Sequence, residues 1–499
     1  MGGRRQIGLS LLLAALLSGL VAQGATAAPQ RLSATDATRA LRGATDLLGQ
    51  SGASDSSSAR PGELTTTLLE LSRSLKLLPP AQRARAEALL ARPTDIPDPG
   101  GDTNTVAEQP PLCSAHFCVH YVGSTADAPS LADANANAVP DYVEAVATVA
   151  EESFAVENTT LGWQPAKPDG VRGGDARTDV YLAQLGGELF GYSAPDPGQS
   201  GRSQHAYLVV DDDYAASEFG GAVPLESLQV TFAHEYNHIL QFGYDTAQDL
   251  WFYESSATWI EDYVYPAIND YLRYVKPWVG RSKLPLTASD IKIYGSGVWN
   301  HWLAGRLGPE VIRTAWERAS TTKPAGFSIN AYNTAIRAQG GRDVPAEFSR
   351  FAAATAEWRT PGVFPYPDGA VYGDVKRKGK VRAGRFTVRR LSHTGYLLLR
   401  VRPRKVRAMR LLAGTSRGTR SAFALVCRRG SVATGKVRTK IRFAKRGGVR
   451  GVTLQRPGRC NRITAVLVNA DTRQAGFAFG DWLYRHDHER FAATLLLRR

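Results

Sequence analysis

Apolar residues recur at helical spacing in ATRALRGATDLLGQ and again in ELTTTLLELSRSLKLL, which predicts two amphipathic helices near the N-terminus. The breakers SGASDSSS and Pro79-Pro80 punctuate them, and ARPTDIPDPGGD reads as a linker. Farther on, FCVHYV, TDVYLAQL and HAYLVVD are β-branched and aromatic and predict strands. Residues 226–243, 250–264 and 296–307 return to helical periodicity. From Val371 the pattern changes to short runs such as GRFTVRRL, GYLLLRVR, KIRFA and ITAVLVNA between Gly, Asn and Asp turns, which predicts an antiparallel β-sandwich. The expected class is α+β: a helical segment over 29–105, a mixed domain over 106–370 and a β-sandwich-like domain over 371–499.

Composition supports folded domains, because 499 residues at 43% hydrophobic and 21% charged can bury a core. Residues 1–28 read as a signal peptide, with Arg4 and Arg5 before the apolar run Ile7 to Ala22 and small residues Ala25-Thr26-Ala27 at a cleavage site. That run is short for a membrane span and no later segment replaces it, so a secreted, extracellular protein without a transmembrane segment is expected. A helical segment behind an export signal suits a propeptide and equally suits a helical extension of the mature fold. Four cysteines, spaced as 113/118 and 427/460, predict two local disulfides in an oxidising compartment. Loop entropy makes the longer bridge worth about 3.8 kcal/mol and the shorter about 2.2 kcal/mol. A rival use of Cys113 and Cys118, with His116 and His120, is a small metal site.

Charge divides the chain. Residues 371–499 hold 33 Lys and Arg against 5 Asp and Glu, leaving 28 against 41 upstream, within a total of +15. Such a basic domain could attach to an anionic surface (wall polymer, acidic lipid or nucleic acid) or dock on its acidic partner domain.

Candidate chemistry concentrates in TFAHEYNHILQF. On a helix His234 and His238 lie one turn apart on one face and can share an ion, with Glu235 beside it. A catalytic zinc takes three protein ligands and keeps one position open. The third must come from elsewhere, and the following amphipathic helix DLWFYESSATWIEDYV offers Glu254, Glu261 and Asp262.

HEYNH, followed by WFYESSATW with its Glu254 sixteen positions after His238, resembles the gluzincin metallopeptidases, the thermolysin-like and alanyl-aminopeptidase-like zincins. The resemblance implies a thermolysin-like catalytic domain with Glu254 as third zinc ligand and Glu261 as fallback. IYGSGVWNHWLAGRLGPEVI is similar to the aminopeptidase-like segment that supplies an oxyanion donor, which would be Tyr294, with His301 as the competing donor. The Gly-x-Met-Glu-Asn strand of the aminopeptidases has no counterpart, since that region reads EFGGAVPLES, so the resemblance points to an endopeptidase. It implies zinc at His234, His238 and Glu254, with Glu235 passing a proton from the activated water to the leaving amine. Two other functions are expected to compete: a non-catalytic surface-binding protein with a zincin-like scaffold, and an amidase of wall peptides.

A structural calcium site is expected in DANANAVPDYVE, where Asp133, Asn135, Asn137, Asp141 and Glu144 fall at positions 1, 3, 5, 9 and 12 of an EF-hand-like loop and the Val139 carbonyl at position 7. Ala138 stands where such a loop favours Gly, and Pro140 restricts Val139. The run Asp211-Asp212-Asp213 is expected to be a solvated turn, with a cation site as the alternative.

Overall fold

The computed structural model describes residues 32–49, 63–94, 106–187, 189–288, 290, 292–320, 326–416, 418–478 and 481–498. The signal peptide and most of the linker lie outside the described residues. The chain divides into two compact units, Arg31–Tyr271 with Ala319–Gly326, and Leu272–Arg318 with Phe327–Arg499. Both helices and sheets are present, so the class is α+β. Among the described residues no helix is long and apolar enough to cross a membrane.

The first unit has three layers around a sheet ordered β1(Leu112–Cys113), β2(Phe117–His120), β3(Thr178–Ala183), β5(Ala206–Asp211) and β4(Gly191–Pro195). β2, β3 and β5 are parallel; β4 runs antiparallel to β5 and forms an edge. Alternation along the strands sends Tyr181, Ala183, Tyr192, Ala194, Tyr207 and Val209 to one face, where α1(Ala34–Leu48), α2(Glu63–Ser74) and α3(Pro80–Leu89) cover them. Leu64, Leu68 and Leu71 carry the buried stripe of α2, and Ser33 starts α1 with a capping box to Asp36. The two periodic N-terminal stretches thus form α1 and α2 and become a layer of this unit.

Arg92 locks that layer down. Its guanidinium is 1% exposed and contacts three carboxylates: Asp196 at 2.8 Å, Asp169 and Asp179. Burial opposes the Arg92 charge, but Asp196 and its neighbours outweigh this and raise its pKa.

On the other face lie α4(Asp141–Phe154) and α5(Pro224–Tyr244), with Phe117 meeting Phe232 and Tyr236 at ring separations of 5.6 and 5.0 Å. α5 starts with Pro224, whose missing N–H costs nothing there, and is buried on nearly every side from Ser227 to Phe242. α6(Leu250–Val264) packs against it.

Among the described residues the second unit contains the helices α7(Leu272–Trp278), α8(Lys292–Gly295), α9(Gly297–Leu307), α10(Glu310–Arg318), α11(Ser328–Ala338) and α12(Val344–Ala354), followed by β-structure. Two sheets, ordered β11-β10-β13-β8-β6 and β12-β9-β16-β7, comprise β6(Lys380–Val381), β7(Gly384–Leu391), β8(Gly395–Val401), β9(Ala408–Thr415), β10(Ser421–Arg429), β11(Lys436–Ala444), β12(Gly448–Gln455), β13(Arg462–Asn469) and β16(Glu489–Arg498); β14(Gln474–Ala478) pairs with β15(Asp481–Tyr484). Leu411, Phe423, Leu425, Leu467, Phe491 and the Cys427–Cys460 disulfide share one core. Cys113 and Cys118 form the other disulfide. With both thiols consumed, His116 stacks on Phe154 and bonds Glu151, while His120 bonds Glu108 and Asp179, so these residues do not form the rival metal site.

Candidate metal centre

α5 carries His234 and His238 one turn apart, and their Nε2 atoms stand 3.0 Å from each other. α6 delivers Glu254, whose Oε2 is 3.3 Å from His234 Nε2 and 3.7 Å from His238 Nε2. A tetrahedral ion with bonds of about 2.0–2.1 Å separates its ligands by about 3.3 Å, so the triangle has the dimensions of a zinc ligand set.

The rear of each imidazole is tied. His234 Nδ1 bonds Glu261 Oε1 at 2.5 Å, and His238 Nδ1 bonds Gln241 Oε1 at 2.8 Å. With Nδ1–H donated rearward, each Nε2 turns inward, the arrangement that fixes a metal-binding tautomer. Gln241 is itself held through Nε2 by Asn237 Oδ1 at 2.5 Å and by Ser256 Oγ at 3.1 Å. Glu261 is therefore an orienting partner on the far side of His234, which corrects its expected place as fallback ligand: seven residues beyond Glu254 it lies two turns on along α6 and meets the other ring nitrogen.

Both Glu254 oxygens are buried without a well-formed hydrogen bond. Burial opposes charge on Glu254, but the His238 and His234 imidazoles outweigh it and hold its carboxyl down at about 2. Burial likewise disfavours charge on His234, but Glu254 and Glu261 drive it well above the ordinary imidazole value. The residues present fit zinc.

Glu235 completes the group that lies within ligand reach, with His234 and His238. Its Oε2 accepts a hydrogen bond from Thr65 Oγ1 of α2 at 2.9 Å, and the Thr65 oxygen in turn accepts from the Ser193 N–H of edge strand β4 at 3.0 Å. Ser193 Oγ donates to the Glu235 carbonyl at 2.9 Å. β4 approaches α5 this closely because Gly191 has no Cβ: one would stand 2.7 Å from Thr231 Cγ2 and 3.0 Å from the Val209 carbonyl. Behind α5, a π-helical turn Ala155–Thr160 places the wholly buried Glu157 against Asn237 Nδ2 at 2.8 Å. Burial raises the Glu157 pKa well above the carboxylate range.

Tyr294 and His301 lie on α8 and α9 of the second unit. Tyr294 is 5% exposed and stacks on Tyr274 with centroids 4.9 Å apart. His301 is 1% exposed and stacks on Tyr366 at 4.2 Å; burial lowers its pKa to about 3, so its ring is neutral at physiological pH.

In the loop DANANAVPDYVE the predicted side-chain ligands hydrogen-bond within the loop. Asp133 accepts from the N–H groups of Asn137 and Ala138 at 3.2 and 2.8 Å, and Asp141 from Ala134 at 3.1 Å. Asn135 and Asn137 both donate side-chain amides to Glu144, at 2.9 and 2.6 Å, and Asn137 Oδ1 accepts from Val139 N. Ala138 adopts φ 67°, the left-handed conformation for which a glycine was expected.

Asp211-Asp212-Asp213 is only partly solvated: Asp211 is fully buried, Asp212 is 4% exposed and Asp213 is exposed. Burial, aided by Asp211 and Asp213, raises the Asp212 carboxyl to about 8.

No family model and no curated protein matches the chain.

Proposed function

We propose that the first unit is the catalytic part of a secreted zinc endopeptidase of the thermolysin-like kind. The observation that carries this reading is the triangle of His234 Nε2, His238 Nε2 and Glu254 Oε2, with both imidazoles tied from behind. Zinc held there supplies Lewis-acid polarisation of a carbonyl and lowers the pKa of a water. Glu235 takes the water's proton and returns it to the leaving amine. Edge strand β4 offers the Ser193 N–H to an extended peptide, in the manner of strand addition.

Thr65 occupies both the Glu235 oxygen and the Ser193 N–H that a substrate would use. The layer α1–α3 therefore holds the site in a covered form, which favours the propeptide reading of 29–105 over a passive extension.

The test is casein hydrolysis by wild type, Thr65→Ala and Thr65→Ala/Glu235→Gln, beside zinc analysis. Thr65→Ala raises the rate over wild type, and adding Glu235→Gln lowers it by about 10²–10⁴-fold while zinc stays bound. Equal rates in all three would remove the endopeptidase reading. Hydrolysis of cross-linked wall fragments but not casein would favour the amidase.

Calcium in the loop Asp133–Glu144, with Asp133, Asn135, Asn137, Asp141, Glu144 and the Val139 carbonyl as oxygen donors, is part of the same proposal. So is attachment of the basic sandwich to an anionic surface. There, a cleft of about 590 Å³ is lined by Lys405, Arg407, Arg456 and Arg459 with no acidic side chain.

A further inference from the structure

We propose that the turn Asp211–Asp213, at the C-terminal end of β5, is a calcium site distinct from the loop Asp133–Glu144, with Asp212 and Asp213 as protein ligands and Asp211 as their organiser. Ligand atoms of the three carboxylates lie within 4.8 Å of one another. They do not share the same work. Asp211 Oδ1 accepts from the N–H groups of Asp213 and Tyr214, at 3.1 and 2.6 Å, and Oδ2 from Leu185 and Gly186, at 3.0 and 3.3 Å. Four donors saturate it, so it shapes the turn. Asp213 Oδ1 accepts from Ala215 N at 2.6 Å, and its exposed carboxylate has capacity left.

Asp212 is the residue that structure alone leaves unexplained. It is 4% exposed, and its Oδ1 is buried with no hydrogen-bond partner. The neighbours acting on it are themselves acidic, Asp211, Asp213 and Glu218. A buried carboxylate among like charges costs free energy unless a proton neutralises it or a cation satisfies it, and a cation can displace that proton. The donors are all oxygens, and Asp213 is exposed, so water can complete the six to eight positions that a hard cation such as calcium takes.

The site would act on what the turn holds. Next in the chain is Tyr214, fully buried at φ 49°, whose hydroxyl donates to the Phe190 carbonyl at 2.7 Å, immediately before β4. The Tyr142 hydroxyl of α4 donates to the Asp211 carbonyl at 2.8 Å. A cation at Asp212 and Asp213 thus fixes the seat of the edge strand.

Equilibrium dialysis against calcium alone, on the full chain, tests this in wild type, Asp212→Asn, Asp213→Asn and a loop variant, Asp133→Asn/Glu144→Gln. Asp212→Asn is expected to bind one calcium fewer than its parent, in wild-type and loop-variant backgrounds alike, and to lose the calcium-induced rise in Tm that this site supplies. An unchanged count in both backgrounds overturns the proposal, as does magnesium binding in preference to calcium. Should Asp212→Asn fail to fold, Asp213→Asn decides: the exposed ligand's loss weakens one site by about tenfold or more if the proposal holds, and leaves every affinity unchanged if it does not.

Discussion

The centre at His234, His238 and Glu254 and the loop Asp133–Glu144 both gather polar side chains, but in opposite ways. In the loop the side chains satisfy one another: Asn135 and Asn137 bind Glu144, and Asp133 caps two backbone N–H groups. At the centre, Glu261 and Gln241 bind the backs of the imidazoles, and the inward His234 and His238 Nε2 atoms face each other and Glu254. A self-satisfied loop is stable without an ion and gains from one. The proposed zinc at the centre would instead be held by atoms that the rear hydrogen bonds turn inward.

Breaking the centre should show the largest effect. Glu254→Gln removes a ligand's charge, and zinc affinity measured by competition with a chelator is expected to fall by more than about a hundredfold, while the metal-free fold survives. Glu261→Gln leaves all three ligands but loosens His234, and the same titration should give a loss of about 10–100-fold. Asp133→Ala reverses the signature. It removes two caps on Asn137 and Ala138, so urea unfolding in chelator should drop by about 1–2 kcal/mol, with zinc affinity unchanged. A loop variant equal to wild type in chelator would erase the distinction between the two regions.

The smallest effect is a pH slope. His120 is buried, which opposes its charge, but hydrogen bonds to Asp179 and Glu108 prevail and raise it to about 9 from an ordinary value of 6.5. A raised imidazole stabilises the fold in full below the unfolded value and loses that contribution as pH climbs through the folded one. Stability of the first unit should therefore decline between pH 6.5 and 9, and His120→Gln should flatten that decline.

Much of the centre was legible because its spacing is local. Two histidines one turn apart on a helix can meet one ion whatever surrounds them, and α5 forms from 224 to 244 with both inside it. Glu254 came only through resemblance to a known motif, since nothing local tells its carboxylate from those of Glu261 and Asp262. The remaining parts were hidden because they depend on chain closure. Thr65 lies 170 residues from Glu235, and its stretch ELTTTLLEL shows only an amphipathic helix. Strand β4, GYSAP, carries a glycine and a proline that obscure any strand pattern, although that glycine is what admits α5. Gln241 reads as a neutral helix residue until its neighbours are in place. In the second unit the short β-runs formed strands of a two-sheet core, whereas the helices α7–α12 gave no sign of belonging with them.

The claim on which the rest depends is that His234, His238 and Glu254 hold one zinc together. Zinc content and X-ray absorption of the purified wild-type chain, beside Glu254→Gln at equal folded concentration, test it directly. The expected result is about one zinc per chain with nitrogen and oxygen ligands at about 2.0–2.1 Å, and a strongly depleted variant. A folded wild type that takes up no zinc, or a Glu254→Gln chain that keeps its zinc with the same absorption spectrum, would contradict it.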